Sequence, residues 1–127
     1  MIPAIMDTTR AKDDTGHGGG FVFDCRSLPN PGREEQFKSL TGMDEPVIEY
    51  LNREESVHQF LASVTSLVDA SVTAYHRRSF KNLMVSFGCT GGQHRSVFMA
   101  EQLARHLRNK SGVDVEVRHL AQEERLP

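Results

Sequence analysis

Nine consecutive residues, Gly88-Cys89-Thr90-Gly91-Gly92-Gln93-His94-Arg95-Ser96, gather most of the chemically capable groups of this chain. Gly88, Gly91 and Gly92 let the backbone reach positive φ and approach a ligand without a Cβ in the way. Thr90 and Ser96 offer hydroxyls, Gln93 an amide, His94 an imidazole and Arg95 a planar cation able to bind two oxygens at once. That combination suits an anion, above all a phosphate.

Cys89, five intervening residues, then Arg95 and Ser96 also reproduce the spacing of the cysteine-dependent phosphatases. That chemistry sets a thiolate beneath the phosphorus while loop amides ring the oxygens. A helix N-terminus and Arg95 would draw the thiol toward the roughly 3.5–7.5 pKa range of activated cysteines. Against it, Gly88 stands where such enzymes carry histidine. No aspartate occupies an obvious general-acid position: Asp69 falls within a long helical segment and Asp44 lies far upstream. Binding without turnover is therefore the first expectation, with catalysis by Cys89 as the alternative. The loop is not a nucleotide-binding P-loop, because Gly-x4-Gly-Lys-Ser/Thr is absent and no lysine sits in it. His94 and His119 lack supporting carboxylates in register, so neither metal nor cofactor is expected.

The flanking segments are those that an anion loop requires. Leu83-Met84-Val85-Ser86-Phe87 is a short apolar run suited to an interior parallel strand. Val97, Met99, Ala100, Leu103, Ala104 and Leu107 mark an amphipathic helix after the loop. The loop thus sits at the C-terminal end of a central strand and feeds a helix N-terminus, whose unpaired amides and positive dipole end attract negative charge. Upstream, Phe21-Val22-Phe23 begins another strand, ended by Pro29-Asn30-Pro31-Gly32. Residues 33–43 read as loop, and Asp44 as the cap of a short helix reaching about Leu51. Val57, Phe60, Leu61, Val64, Leu67, Val68, Val72 and Tyr75 recur at steps of three and four over residues 54–78, the stripe of a long core helix. Val113, Val115 and Val117 alternate with Asp114 and Glu116 as an edge strand. Residues 1–19, polar and ending Gly-His-Gly-Gly-Gly, read as a flexible N-terminal tail ahead of a domain over 20–127. Strand–helix–strand–helix–strand predicts an α/β domain, small and three-layer-like, with a mainly parallel sheet.

Composition narrows the function classes. The 127 residues are 38% hydrophobic and 25% charged, the balance of one soluble globular domain. No apolar run approaches the roughly 20 residues of a membrane span, and no export signal is evident, so a cytoplasmic setting without membrane attachment is expected. A net charge of −2 gives no bulk electrostatic case for nucleic acid. Cys25 and Cys89 are too few for a disulfide framework. Small α/β units with exposed sheet edges often pair, so homo-oligomers are expected.

Three motifs occur in order: Phe23-Asp24-Cys25-Arg26-Ser27-Leu28-Pro29-Asn30-Pro31, Leu40-Thr41-Gly42-Met43-Asp44, and Phe87 through Val97 followed by Ala100-Glu101-Gln102-Leu103-Ala104. Together with Val117-Arg118-His119 they resemble the C-terminal domain of the RapZ (YvcJ-like) family, whose pattern is approximately FDxRxLPNP, LTGxD and GCTGGxHRSV. The resemblance covers about residues 20–120. It implies a fold related to a phosphofructokinase subdomain and a pocket for a phosphorylated amino sugar or similar anion, free phosphate or sulfate included. It also implies a sensing or adaptor role with a protein or RNA partner. The family's N-terminal P-loop kinase-like domain and basic C-terminal tail have no counterpart here, which weakens the case for nucleotide hydrolysis and RNA. Under this resemblance Asp24, Arg26 and Asn30 follow the first strand, Cys89 through Ser96 follow the central one, and Arg118 with His119 close the third. Arg26, Arg95 and Arg118 would face phosphate, and Asp24 and Asn30 sugar hydroxyl or amine groups. The plainer alternatives are an Asp24–Arg26 ion pair, an Asn30 side chain that only shapes its turn, and a surface His119.

Overall fold

The computed structural model describes residues 2–6, 20–78, 82–89, 93–110 and 113–119. Four strands form one parallel sheet: β1 (Ile2–Met6), β2 (Gly20–Asp24), β3 (Asn82–Gly88) and β4 (Glu116–Arg118), in the order β2-β3-β1-β4. Three α-helices accompany them, α1 (Glu45–Asn52), α2 (Glu55–Arg78) and α3 (Arg95–Arg108). The α/β class and the parallel sheet agree with the sequence reading, and β3 is interior as its unbroken apolar run requires. β4 lies at one edge of the sheet.

One expectation is overturned. Ile2–Met6, read as part of a flexible tail, is a strand between β3 and β4, in register from Ile2↔Asn82 to Met6↔Ser86 and from Ala4↔Glu116 to Met6↔Arg118. Without β1 the edge strand would have no partner, so the sheet needs a fourth strand that the alternation of residues 20–119 does not contain. Residues 7–19 of the expected tail lie outside the described residues.

From β2 to β3, and from β3 past β1 to β4, the chain moves the same way across the sheet, so right-handed crossovers put α2 and α3 on one face. The core agrees. Leu83, Val85, Phe87 and Cys89 of β3 and its end cluster with Val57, Val64, Val68 and Val72 of α2 and with Phe98, Leu103 and Leu107 of α3. Phe23 stacks on Phe87 at 5.6 Å and meets Phe60 of α2 edge-on at 6.3 Å, tying both strands to the helix. Each such buried side chain stabilises by roughly 1.5–3 kcal/mol relative to exposure.

Residues 33–43, expected to be loop, hold the end of one short 3-10 turn, Pro31–Arg33, and the whole of a second, Glu35–Phe37. Asp44 does stand at the N-cap of α1, but its side chain makes no cap bond there. Its Oδ2 instead accepts from the Thr41 amide at 2.7 Å, closing the Thr41–Asp44 turn.

Candidate functional site

All four strands run in parallel, so their C-terminal ends share one edge of the sheet. β3 and β1 lie side by side yet lead to strands on opposite sides, which makes the end of β3 a topological switch point, where open α/β sheets bind ligands. Gly88 ends β3 there and α3 begins at Arg95. Thr90, Gly91 and Gly92 lie outside the described residues.

The best-defined group of the site is Arg95. It opens α3, yet only 4% of it is exposed. Its Nη1 donates to the carbonyls of Arg26 at 2.9 Å and Leu28 at 3.0 Å, while its Nε is buried with no partner among the described residues. Beside it opens a cavity of about 440 Å³, lined by the turn from Arg26 to Asn30, by Arg33, by Ser56 and by Arg95 itself. That volume lies in the range of small-molecule pockets. The sequence reading missed Arg33 and Ser56. They belong to no motif; the available signals were an arginine just after a Pro-Gly turn and a serine in the first turn of a long helix.

Other expected site residues are placed differently. Gln93 Nε2 donates to the carbonyls of Lys38 and Leu40, both at 2.6 Å, and His94 Nε2 donates to that of Phe37 at 2.8 Å. The Gly42 amide returns a bond to the Gln93 carbonyl at 2.9 Å. These groups lock the 37–42 segment onto the start of α3 rather than reach for a ligand. Gly42 is required in that lock, because a Cβ there would fall on the His94 carbonyl and the Phe98 amide. Cys89 Sγ donates to Ser96 Oγ at 3.3 Å, both residues buried.

Asp24 and Arg26 form an ion pair: the guanidinium donates to both carboxylate oxygens at 2.6–2.9 Å, and the Arg26 amide adds a bond of 2.9 Å. Hydrogen bonds from Arg26 hold the carboxyl at about 2, against an ordinary 3.8. Asp24 lines a second, smaller cavity of about 270 Å³ with Val22, Phe23, Arg26 and Gly88. Arg26 therefore borders both cavities. Asn30 accepts from the Gly32 amide at 2.9 Å and so shapes its turn, although it also lines the larger cavity. Burial is the main reason the Cys25 thiol is pushed up to about 12, with neighbouring Cys89 adding to it. A neutral Cys25 is fixed under the site.

Arg118 and His119 do not join this group. β1 separates β4 from β3, neither residue lines the larger cavity, and His119 Nε2 lies 3.1 Å from Glu101 Oε2, tying the end of β4 to α3. His106 bridges α3 to Asp69 of α2 at 2.9 Å. His58 caps the end of α1 through the Asn52 carbonyl at 2.7 Å. Among the described residues no cluster of three or more metal-ligating side chains occurs, and no helix is long and apolar enough to cross a membrane.

A small parallel α/β domain with an arginine-floored cavity beside a strand–loop–helix turn is the class that fold and geometry define. The family model for the RapZ C-terminal domain matches residues 11–123, and the chain belongs to that family. Among curated relatives, a nucleotide-binding protein of Shewanella sp. (strain ANA-3) is 46% identical over 89 residues, 70% of this chain and 31% of that protein. One from Shewanella sp. (strain W3-18-1) is 46% identical over 101 residues, 79% and 36% respectively. One from Haemophilus ducreyi is 38% identical over 99 residues, 78% and 34%. The chain spans about a third of the length of these relatives.

Proposed function

We propose that this chain is a regulatory or adaptor domain that binds a phosphorylated small molecule of the sugar-phosphate class at the Gly88–Ser96 loop, without turning it over. The observation that carries the reading is Arg95: a nearly buried guanidinium with two carbonyl partners, an unpartnered Nε and no carboxylate ion pair among the described residues, on the wall of a 440 Å³ cavity. The Asp24 carboxylate is close enough to feel the Arg95 charge but does not bond it, and a buried cation without a bonded anion is costly, a cost that an incoming anion offsets. The first turn of α3 adds its dipole, and Thr90, Gly91 and Gly92 are assigned as the remaining loop contacts. The nucleotide-binding name of the relatives belongs to proteins more than twice as long, and it does not say which part holds the nucleotide. A cytoplasmic setting, a protein partner and self-association go with the adaptor role; the net charge of −2 does not favour RNA.

Ligand-induced thermal shift tests the reading. At a hundredfold excess over Kd a sugar phosphate should add about 2.7 kcal/mol, on the order of 10 °C for a domain of this size. The shift should vanish in Arg95→Ala, shrink in Arg95→Lys, which keeps the charge but loses the fork, and survive in Cys89→Ser. No shift with any phosphorylated probe refutes it. The Cys89–Ser96 contact keeps phosphatase chemistry as the second reading; turnover of p-nitrophenyl phosphate that disappears in Cys89→Ser would establish that one instead.

A further inference from the structure

We propose that two copies of this chain associate through the outer face of α2, the two helices packing antiparallel about a twofold axis at Ser66. The inference gives self-association a place and a geometry, and it does not depend on what the cavity at Arg95 binds.

α2 turns Val57, Val64, Val68 and Val72 into the core, which leaves Gln59, Ala62, Ser66, Ala70 and Thr73 on its opposite side, all exposed. The outer side of a surface helix ordinarily carries its charges. Here no exposed position between Glu55 and Arg77 is Asp, Glu, Lys or Arg. Asp69, the one such residue in that stretch, is partly buried and bound to His106 and Lys110. Leu67 borders the uncharged face with 53% of its surface in water. The helix dipole accounts for acids at the first turn and arginines at the last. It gives no reason for an uncharged middle.

A second copy fits this face because its pattern is self-complementary, as a twofold interface demands. From Glu55 to Arg77 the exposed positions advance by four, three, four, four, three and four residues, a series that reads the same in both directions from Ser66. Turned end for end about Ser66, one helix lays Ala62 against the partner's Ala70 and Gln59 against the partner's Thr73. At both ends Glu55 then meets the partner's Arg77, and Glu54 the partner's Arg78. None of these four charged residues has an ion-pair partner within the chain among the described residues. Alanine and serine at the crossing let the axes approach to about 8 Å, the near end of the range for packed helices. The end charges fix the antiparallel sense, since a parallel pair would set acid on acid and arginine on arginine. Ser56 lines the larger cavity at the start of α2, so the two copies' cavities stand at opposite ends of the helix pair.

Disulfide trapping of the full chain reads this geometry. Cys25 and Cys89 are buried, so a cysteine placed on the outer face of α2 is the accessible thiol. With diamide as the oxidant, Ser66→Cys should form a covalent dimer much faster than Thr73→Cys, whose two copies would lie about 21 Å apart along the pair. Mixed Gln59→Cys and Thr73→Cys chains should cross-link with each other. In light scattering the unaltered chain should rise from 14.2 kDa toward twice that mass with concentration. Glu55→Arg should weaken the dimer about fivefold or more, and adding Arg77→Glu should restore it, a rescue that damage to the fold would not give. Equal trapping of Ser66→Cys and Thr73→Cys, failure of the charge exchange to rescue, or a mass of 14.2 kDa at every concentration overturns the proposal.

Discussion

Asp24 ends β2 and Arg26 lies two residues on, in the turn that follows, with more than half of each side chain in water. Their hydrogen bonds nevertheless keep the Asp24 carboxyl at about 2. Because the folded value lies below the ordinary 3.8, the preference for the folded state is complete above that value and is lost as pH falls through about 2. Carbon-detected NMR should show Asp24 titrating near 2, and near 3.8 in Arg26→Ala; a midpoint near 3.8 in the unaltered chain would refute the pairing. Such an i,i+2 pair of opposite charges was legible in the sequence, and so was Asn30 as a turn former. The roles of Gln93 and His94 were not. Their partners are main-chain carbonyls 53 to 57 residues away, and residue type announces a donor without naming its acceptor. Arg33 and Ser56 escaped for a related reason, since only the packing of the β2 turn against the start of α2 brings them to one cavity.

Helices α2 and α3 were readable to within a residue or two because their apolar stripes must cover a sheet, and period is what sequence records best. The segment between Pro31 and Asp44 was not, for it has no period and takes its shape from the start of α3. Gly42 is the test of that dependence. A methyl group in Gly42→Ala would press on backbone atoms of His94 and Phe98, which cannot swing aside as a side chain would. The variant should lose about 1–3 kcal/mol in urea denaturation, and its sugar-phosphate affinity should fall with the displaced entrance to α3. Unchanged stability would show that the 37–42 lock is not tight. β1 hid from the sequence reading for a different reason. Pro3 argues against an interior strand, and the apolar run after it ends within three residues, at Asp7; the β4 ladder begins only at Ala4, one residue past that proline.

For the whole molecule, the position of β1 separates two expectations sharply. Were residues 1–6 a tail, their removal would leave stability untouched. As an inner strand they hold β4 to the sheet, so a chain lacking residues 1–6 should lose its cooperative urea transition or several kcal/mol of it. The same placement governs the order in which the domain can assemble. β1 joins residues 80 positions away in β3 and 112 positions away in β4, whereas the packing of α2 on α1 is made within one short stretch of chain. Sheet closure is thus the step of greatest loop entropy. It leaves the inner edge of β3 bare until late, a temporary template on which a neighbouring chain's strand can be mistaken for its own.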